Sequence, residues 1–209
     1  MRPFVLSLSL FLAMFTIQPA LGFEYPLSPE AIREAYFLGK KNPEARQAFL
    51  KPYQHNLPLP ENGPHVGLIE VQTPFTFIAQ KVAAAGSGYH AQDAEQEFLG
   101  KPGPFRIHVQ IDFTATFPEA YDTAASLGKF WEDFHVHLRQ KREISAQRVA
   151  GQPIYSDAAR FSTLSGYAGA TIDVDYDVNK IDASGPATIV VDTPEGEPVE
   201  TTFDFAQLR

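Results

Sequence analysis

The chain has 209 residues, 44% of them hydrophobic, with 17 phenylalanines, 17 prolines, no cysteine and a formal net charge of −8. An excess of carboxylates over basic side chains argues against nucleic acid or an anionic membrane surface as a partner held by charge. Without cysteine there is no disulfide framework, so packing alone must hold the fold.

The N-terminus has the layout of a secretory signal peptide. Arg2 precedes an apolar run from Phe4 to Ile17, interrupted only by Ser7, Ser9 and Thr16, and the small-residue pattern Ala20-Leu21-Gly22 follows. Cleavage is expected after Gly22, so residues 1–22 are a leader. The apolar run is shorter than the roughly 20 residues of a spanning helix, and no later stretch is long enough to cross a membrane. The expected compartment is a periplasm or the extracellular medium. The mature chain, residues 23–209, carries a net charge of −9. Its length suits one domain at roughly 100–200 residues per domain.

The first half, residues 23–100, carries helical signals. Ser28-Pro29-Glu30 offers an N-cap hydroxyl, a proline at the first helical position and an acid facing the helix dipole. Ile32, Ala35 and Tyr36 give an apolar face, and Gly39 is placed to close the helix as a left-handed cap. Asn42-Pro43-Glu44 repeats the start, which predicts a helical hairpin over Pro29–Gly39 and Pro43–Leu50. Tyr53 to Pro64 is proline-rich and should run extended, its Leu57-Pro58-Leu59-Pro60 segment serving as a spacer or as a ligand for an aromatic groove. Val66 to Gln72 reads as a strand. Thr73-Pro74 starts a helix carrying Phe75, Ile78, Ala79 and Val82, and Ala91 to Leu99 reads as a solvated helix ended by Gly100.

The second half, residues 101–209, is β-rich. Phe105, Ile107, Val109, Ile111 and Phe113 alternate with Arg106, His108, Gln110, Asp112 and Thr114, the cleanest strand pattern in the chain. Phe117 to Gly128 reads as a loop with a helical turn over Pro118–Ala125. In Lys129–Gln140, Phe130, Phe134, Val136 and Leu138 would face a core, with Trp131, Asp133, His135, His137 and Arg139 outward. Glu132 breaks that pattern unless the strand starts after it. Ile144 to Val149 and Ile154-Tyr155 read as short strands, and Ser156 to Ser165 as a loop. Strands then follow at Ala170–Asn179, Ala187–Asp192 and Val199–Phe205. The predicted fold is α+β: an antiparallel β-sandwich, immunoglobulin- or C2-like, with an N-terminal helical segment.

Three segments carry a resemblance. The helix Ser28 to Gly39, the stretch Gly151-Gln152-Pro153-Ile154-Tyr155, and the C-terminal Phe203-Asp204-Phe205 through Leu208-Arg209 resemble an uncharacterised group of secreted bacterial proteins. The group has no known activity, so the resemblance implies no functional residue.

The first chemical candidate is His135-x-His137. On a strand, residues two apart share a face with Cβ atoms roughly 7 Å apart, a spacing that can serve one Zn²⁺. His108 is the expected third ligand, with Asp112 or Asp133 next. Two solvated histidines are the structural alternative, and the His-Glu-x-x-His signature of a zinc protease is absent. Asp173-x-Asp175-x-Asp177 starts like a calcium loop, but Val178 and Ser184 replace the required glycine and glutamate. A strand is the better reading, with Arg139, Arg148 or Arg160 relieving the repulsion between carboxylates. No nucleophile elbow, phosphate loop or dinucleotide fingerprint is present. The sequence therefore points to a binding or structural module using Trp131, His135, His137 and His108, its partner a protein, a small molecule or a glycan. A zinc enzyme on the same face and a calcium-stabilised extracellular module are the alternatives.

Overall fold

The computed structural model describes residues 22–58, 64–101, 103–114, 129–155, 167–194 and 196–209. The expected leader up to Leu21, the segment around Pro60, the expected turn Pro118–Ala125 and the expected loop Ser156–Ser165 with Arg160 lie outside the described residues.

Four helices form where the start signals stand: α1 (Pro29–Gly39), α2 (Pro43–Leu50), α3 (Pro74–Ala84) and α4 (Ala91–Phe98). The side chains of Ser28, Asn42 and Thr73 accept from the backbone N–H groups of Ala31, Ala45 and Thr76 at 3.2, 2.8 and 3.4 Å. Each such cap stabilises its helix by about 1 kcal/mol. Gly39 departs from expectation. It is still helical, and Lys40 after it is right-handed at φ −85°. What Gly39 supplies is a close approach: a Cβ there would stand 2.5 Å from the Ala79 carbonyl oxygen and 2.7 Å from the Val82 Cβ. α1 and α3 thus approach closely at Gly39, where its missing side chain makes room for Ala79 and Val82. The helix expected to be solvated, α4, buries Ala94 completely. Ile32, Ala35, Leu38, Phe75, Ile78, Val82 and Ala94 make one helical core cluster.

The described residues hold nine strands: β1 (Gln54–Asn56), β2 (Pro64–Gln72), β3 (Phe105–Phe113), β4 (His135–Arg139), β5 (Glu143–Ile144), β6 (Ala146–Tyr155), β7 (Tyr167–Tyr176), β8 (Pro186–Asp192) and β9 (Val199–Asp204). They form a five-stranded sheet in the order β1-β2-β3-β7-β6 and a four-stranded sheet in the order β5-β4-β8-β9. Every pairing is antiparallel. Ile69, Val71, Ile107, Val109, Ile172 and Val174 of the larger sheet share one core cluster with Leu138, Ile189, Val191 and Phe203 of the smaller one. The alternation in β3 is realised from Phe105 to Ile111, with Phe105, Ile107, Val109 and Ile111 at 0% exposure, while Phe113 at the strand end is only half-buried.

Two strand expectations change. β4 begins only at His135, because Phe130–Asp133 forms a 3₁₀ turn. That accounts for Glu132: the strand starts after it. Phe134 and Leu138 are buried as expected. β6 is a single strand of ten residues where two fragments were expected. Gly151 in its middle carries no side chain because the indole of Trp131 lies there: a Cβ would stand 2.0 Å from Trp131 Cδ1.

Candidate functional site

Strand alternation puts the even-numbered residues of β3 on the side of the five-stranded sheet opposite the core, and residues directly across from them share that face. Three rows result. Gln54, Glu70, His108 and Asp173 stand side by side across β1, β2, β3 and β7. Gln72, Arg106, Asp175 and Arg148 form the next row, and Leu68, Gln110, Thr171 and Gln152 the one on the other side. A bulge between Val66 and Leu68 resets β2, so His65 pairs with Asp112 at the far end of the same face.

The central side chains are mutually fixed. Arg106 grips Asp175 with two donors, Nε to Oδ1 at 2.6 Å and Nη2 to Oδ2 at 3.2 Å, and reaches Asp173 Oδ2 with Nη1 at 3.2 Å. Its guanidinium also lies over the Phe77 ring of α3, 5.5 Å from the centroid. His108 Nδ1 and Asp173 Oδ1 are 2.7 Å apart. Burial pushes the Asp173 carboxyl up, but the hydrogen bond from His108 and the positive charges of Arg106, His108 and Arg148 outweigh it, so the group stays below the usual carboxylate range. Burial likewise works against charge on Arg106, and the hydrogen bond to Asp175 with both carboxylates raises its pKa instead. These groups are partly open: the side chains of Arg106, His108, Asp173 and Asp175 are 18–27% exposed.

Beside this cluster, Glu70 is 5% exposed. It accepts from the side-chain amides of Gln54, Gln72 and Gln80, the last reaching over from α3. At the far end Asp112 Oδ1 accepts from Gln110 Nε2 at 2.7 Å. Its other oxygen lies above Gly67, 2.0 Å from where a Cβ would be. His65 is buried, and among the described residues neither ring nitrogen has a hydrogen-bond partner.

The residues expected to converge are divided between the sheets. His108 is on β3 in the five-stranded sheet, whereas His135 and His137 are on β4 in the four-stranded sheet. Each strand turns its opposite face into the shared core, so the three histidines cannot form one ligand set. His137 is held by two carboxylates, Nδ1 with Glu143 Oε1 at 2.9 Å and Nε2 with Asp192 Oδ2 at 3.2 Å. His135 and Asp133 are exposed. Trp131 is half-buried, packed on Gly151 and edge-on to Phe130 at 5.5 Å, and it flanks the core instead of an outer face. Asp173 and Asp175 are relieved mainly by Arg106, which sequence reading had not paired with them. Arg148 does stand across from Asp175. Asp177 leaves the strand to accept from Asn179 N at 3.1 Å. Among the described residues no group of three His, Asp or Glu side chains is placed to hold a metal ion.

Glu70 and His65 were missed. The sequence signal was there for Glu70: an acid between Ile69 and Val71 in a segment expected to be a strand.

No known protein family matches the chain, and no curated protein does. Among solved structures it is similar to a novel protein of unknown function from Burkholderia pseudomallei, at 15% sequence identity over 86% of this chain and 91% of that one, with a TM-score of 0.37.

Proposed function

We propose that the protein is an exported binding module, and that its ligand face is the outer side of the five-stranded sheet around His108, Gln110, Asp112 and Asp173. The observation that carries this reading is the fixed, half-open network of Arg106, His108, Asp173 and Asp175. Side chains already held in place lose little freedom on binding, which lowers the cost of association. Arg106 is outnumbered by Asp173 and Asp175, so the face offers carboxylate acceptors beside amide and imidazole donors and no free cation among these groups. His108 Nε2 makes no hydrogen bond to a described residue and is free to meet a ligand. That chemistry suits a neutral polyhydroxyl ligand such as a glycan.

The export reading is supported by the leader layout and by Phe23, the residue after the expected cleavage point. Phe23 is buried, 5.3 Å from the Phe105 ring and 6.0 Å from the Phe205 ring. An immunoglobulin- or C2-like sandwich is the proposed form of the two sheets, supported by the core they share. Titration calorimetry against a panel of neutral oligosaccharides tests the ligand class. At least one should bind with 1:1 stoichiometry, and His108→Ala and Gln110→Ala should each weaken it about tenfold, the loss of roughly 1.4 kcal/mol. Absence of binding across the panel at millimolar sugar would reject it.

A further inference from the structure

We infer a second, separate site: a pocket between α2 and the α1–α3 pair that takes the alkyl chain of a medium-chain fatty acid, with Arg46 receiving its carboxylate. The pocket has a volume of about 200 Å³ and is lined by Leu38, Leu50, Ala79, Ala83 and Ala84, with Arg46 and Gln80 as its polar members. It exists because α2 packs loosely: none of its residues is buried, although its partners Leu38 and Ala79 are. The three alanines of α3 leave the space that larger side chains would fill. A single water needs only about 10–15 Å³ of such space, so the pocket has room for a short alkyl chain.

The charge around the pocket selects the head group. Lys40, Lys41, Arg46 and Lys51 surround α2 with Glu44 as the only acid between residues 40 and 53, in a chain whose net charge is −8. Arg46 is oriented by donation from Nη1 to the Lys41 carbonyl, which leaves its other guanidinium donors available. Lys40 Nζ is tied to the Gly86 carbonyl at 2.6 Å, just beyond the Ala84 end of the pocket. An apolar slot under a fixed guanidinium and a basic rim matches a monoalkyl carboxylate and discriminates against an uncharged head.

Calorimetry or amide chemical-shift titration of the mature chain with sodium octanoate tests this, with octan-1-ol as the matched neutral probe. Octanoate should bind at one site, and octan-1-ol about tenfold or more weakly. Arg46→Gln should erase that difference by weakening octanoate alone. Ala83→Phe, at an exposed position on the pocket wall, should block both probes while the melting curve stays that of a folded protein. Equal affinity for the two probes, no saturable octanoate binding, or octanoate binding unchanged by Ala83→Phe would each overturn the assignment. So would octanoate failing to bind while phosphatidylglycerol vesicles retain the protein, which would make the basic rim a membrane contact.

Discussion

Asp173 is the residue on which the polar face depends, since both Arg106 and His108 bond to it. Asp173→Asn keeps the shape and removes the charge. Two charge-assisted hydrogen bonds weaken, and the variant should lose about 1–3 kcal/mol, read from urea unfolding at neutral pH. The pH dependence has a definite sign. The folded carboxyl lies below its ordinary value, so it binds fewer protons than the unfolded group. Its contribution is present above the unfolded carboxylate range, near 4, and is lost as pH falls through the lowered folded value. The stability gap between the parent protein and Asp173→Asn should therefore be full at pH 7 and shrink on acidification below about pH 4. A gap that did not change with pH would mean that shape, not charge, sets the contribution.

At the scale of elements, Gly39 shows how packing can reverse a local preference. In an exposed helix interior, Gly→Ala gains roughly 0.5–1 kcal/mol. Here the added methyl would meet the Ala79 carbonyl and Val82, and overpacking costs typically 1–3 kcal/mol. The collision should win, so Gly39→Ala is expected to lower the thermal midpoint, measured by circular dichroism. The helices were legible in the sequence because capping signals are local: Ser28-Pro29, Asn42-Pro43 and Thr73-Pro74 each mark a start that formed. β3 was legible for the same reason, through its strict alternation. What no local pattern carries is which strands share a sheet. His108 and His137 both lie on strands that the sequence predicts, and only the topology separates them. Gly151 was unreadable for a related cause. A glycine looks like a chain break until the Trp131 ring that occupies its face is known. Glu70 was overlooked because its three glutamine partners, though near in sequence, meet it only once β1 pairs with β2 and α3 folds back over the sheet.

Across the whole molecule, the helical cluster and the sheet core meet at Phe49, whose ring lies 5.6 Å from Tyr53 and 5.8 Å from Phe75. It packs against both core clusters. Being half-buried, Phe49→Ala should cost about 2 kcal/mol, below the 3–5 kcal/mol of a fully buried phenylalanine. Hydrogen exchange gives the sharper test. Amides of α1 and α3 should become less protected relative to those of β3, whereas uniform loss across the molecule would show that the two clusters are joined elsewhere. The order in which the chain visits its sheets has a kinetic consequence. It lays down β1 to β3 in the larger sheet, crosses for β4 and β5, returns for β6 and β7, and crosses again for β8 and β9. β3 pairs with β7 through partners as distant as Phe105 and Tyr176, and such long-range closure slows folding. A growing chain therefore holds β3, with its row of four buried apolar side chains, half-paired until its last third is made. That delay leaves β3 as the segment most in need of a chaperone while the chain is incomplete.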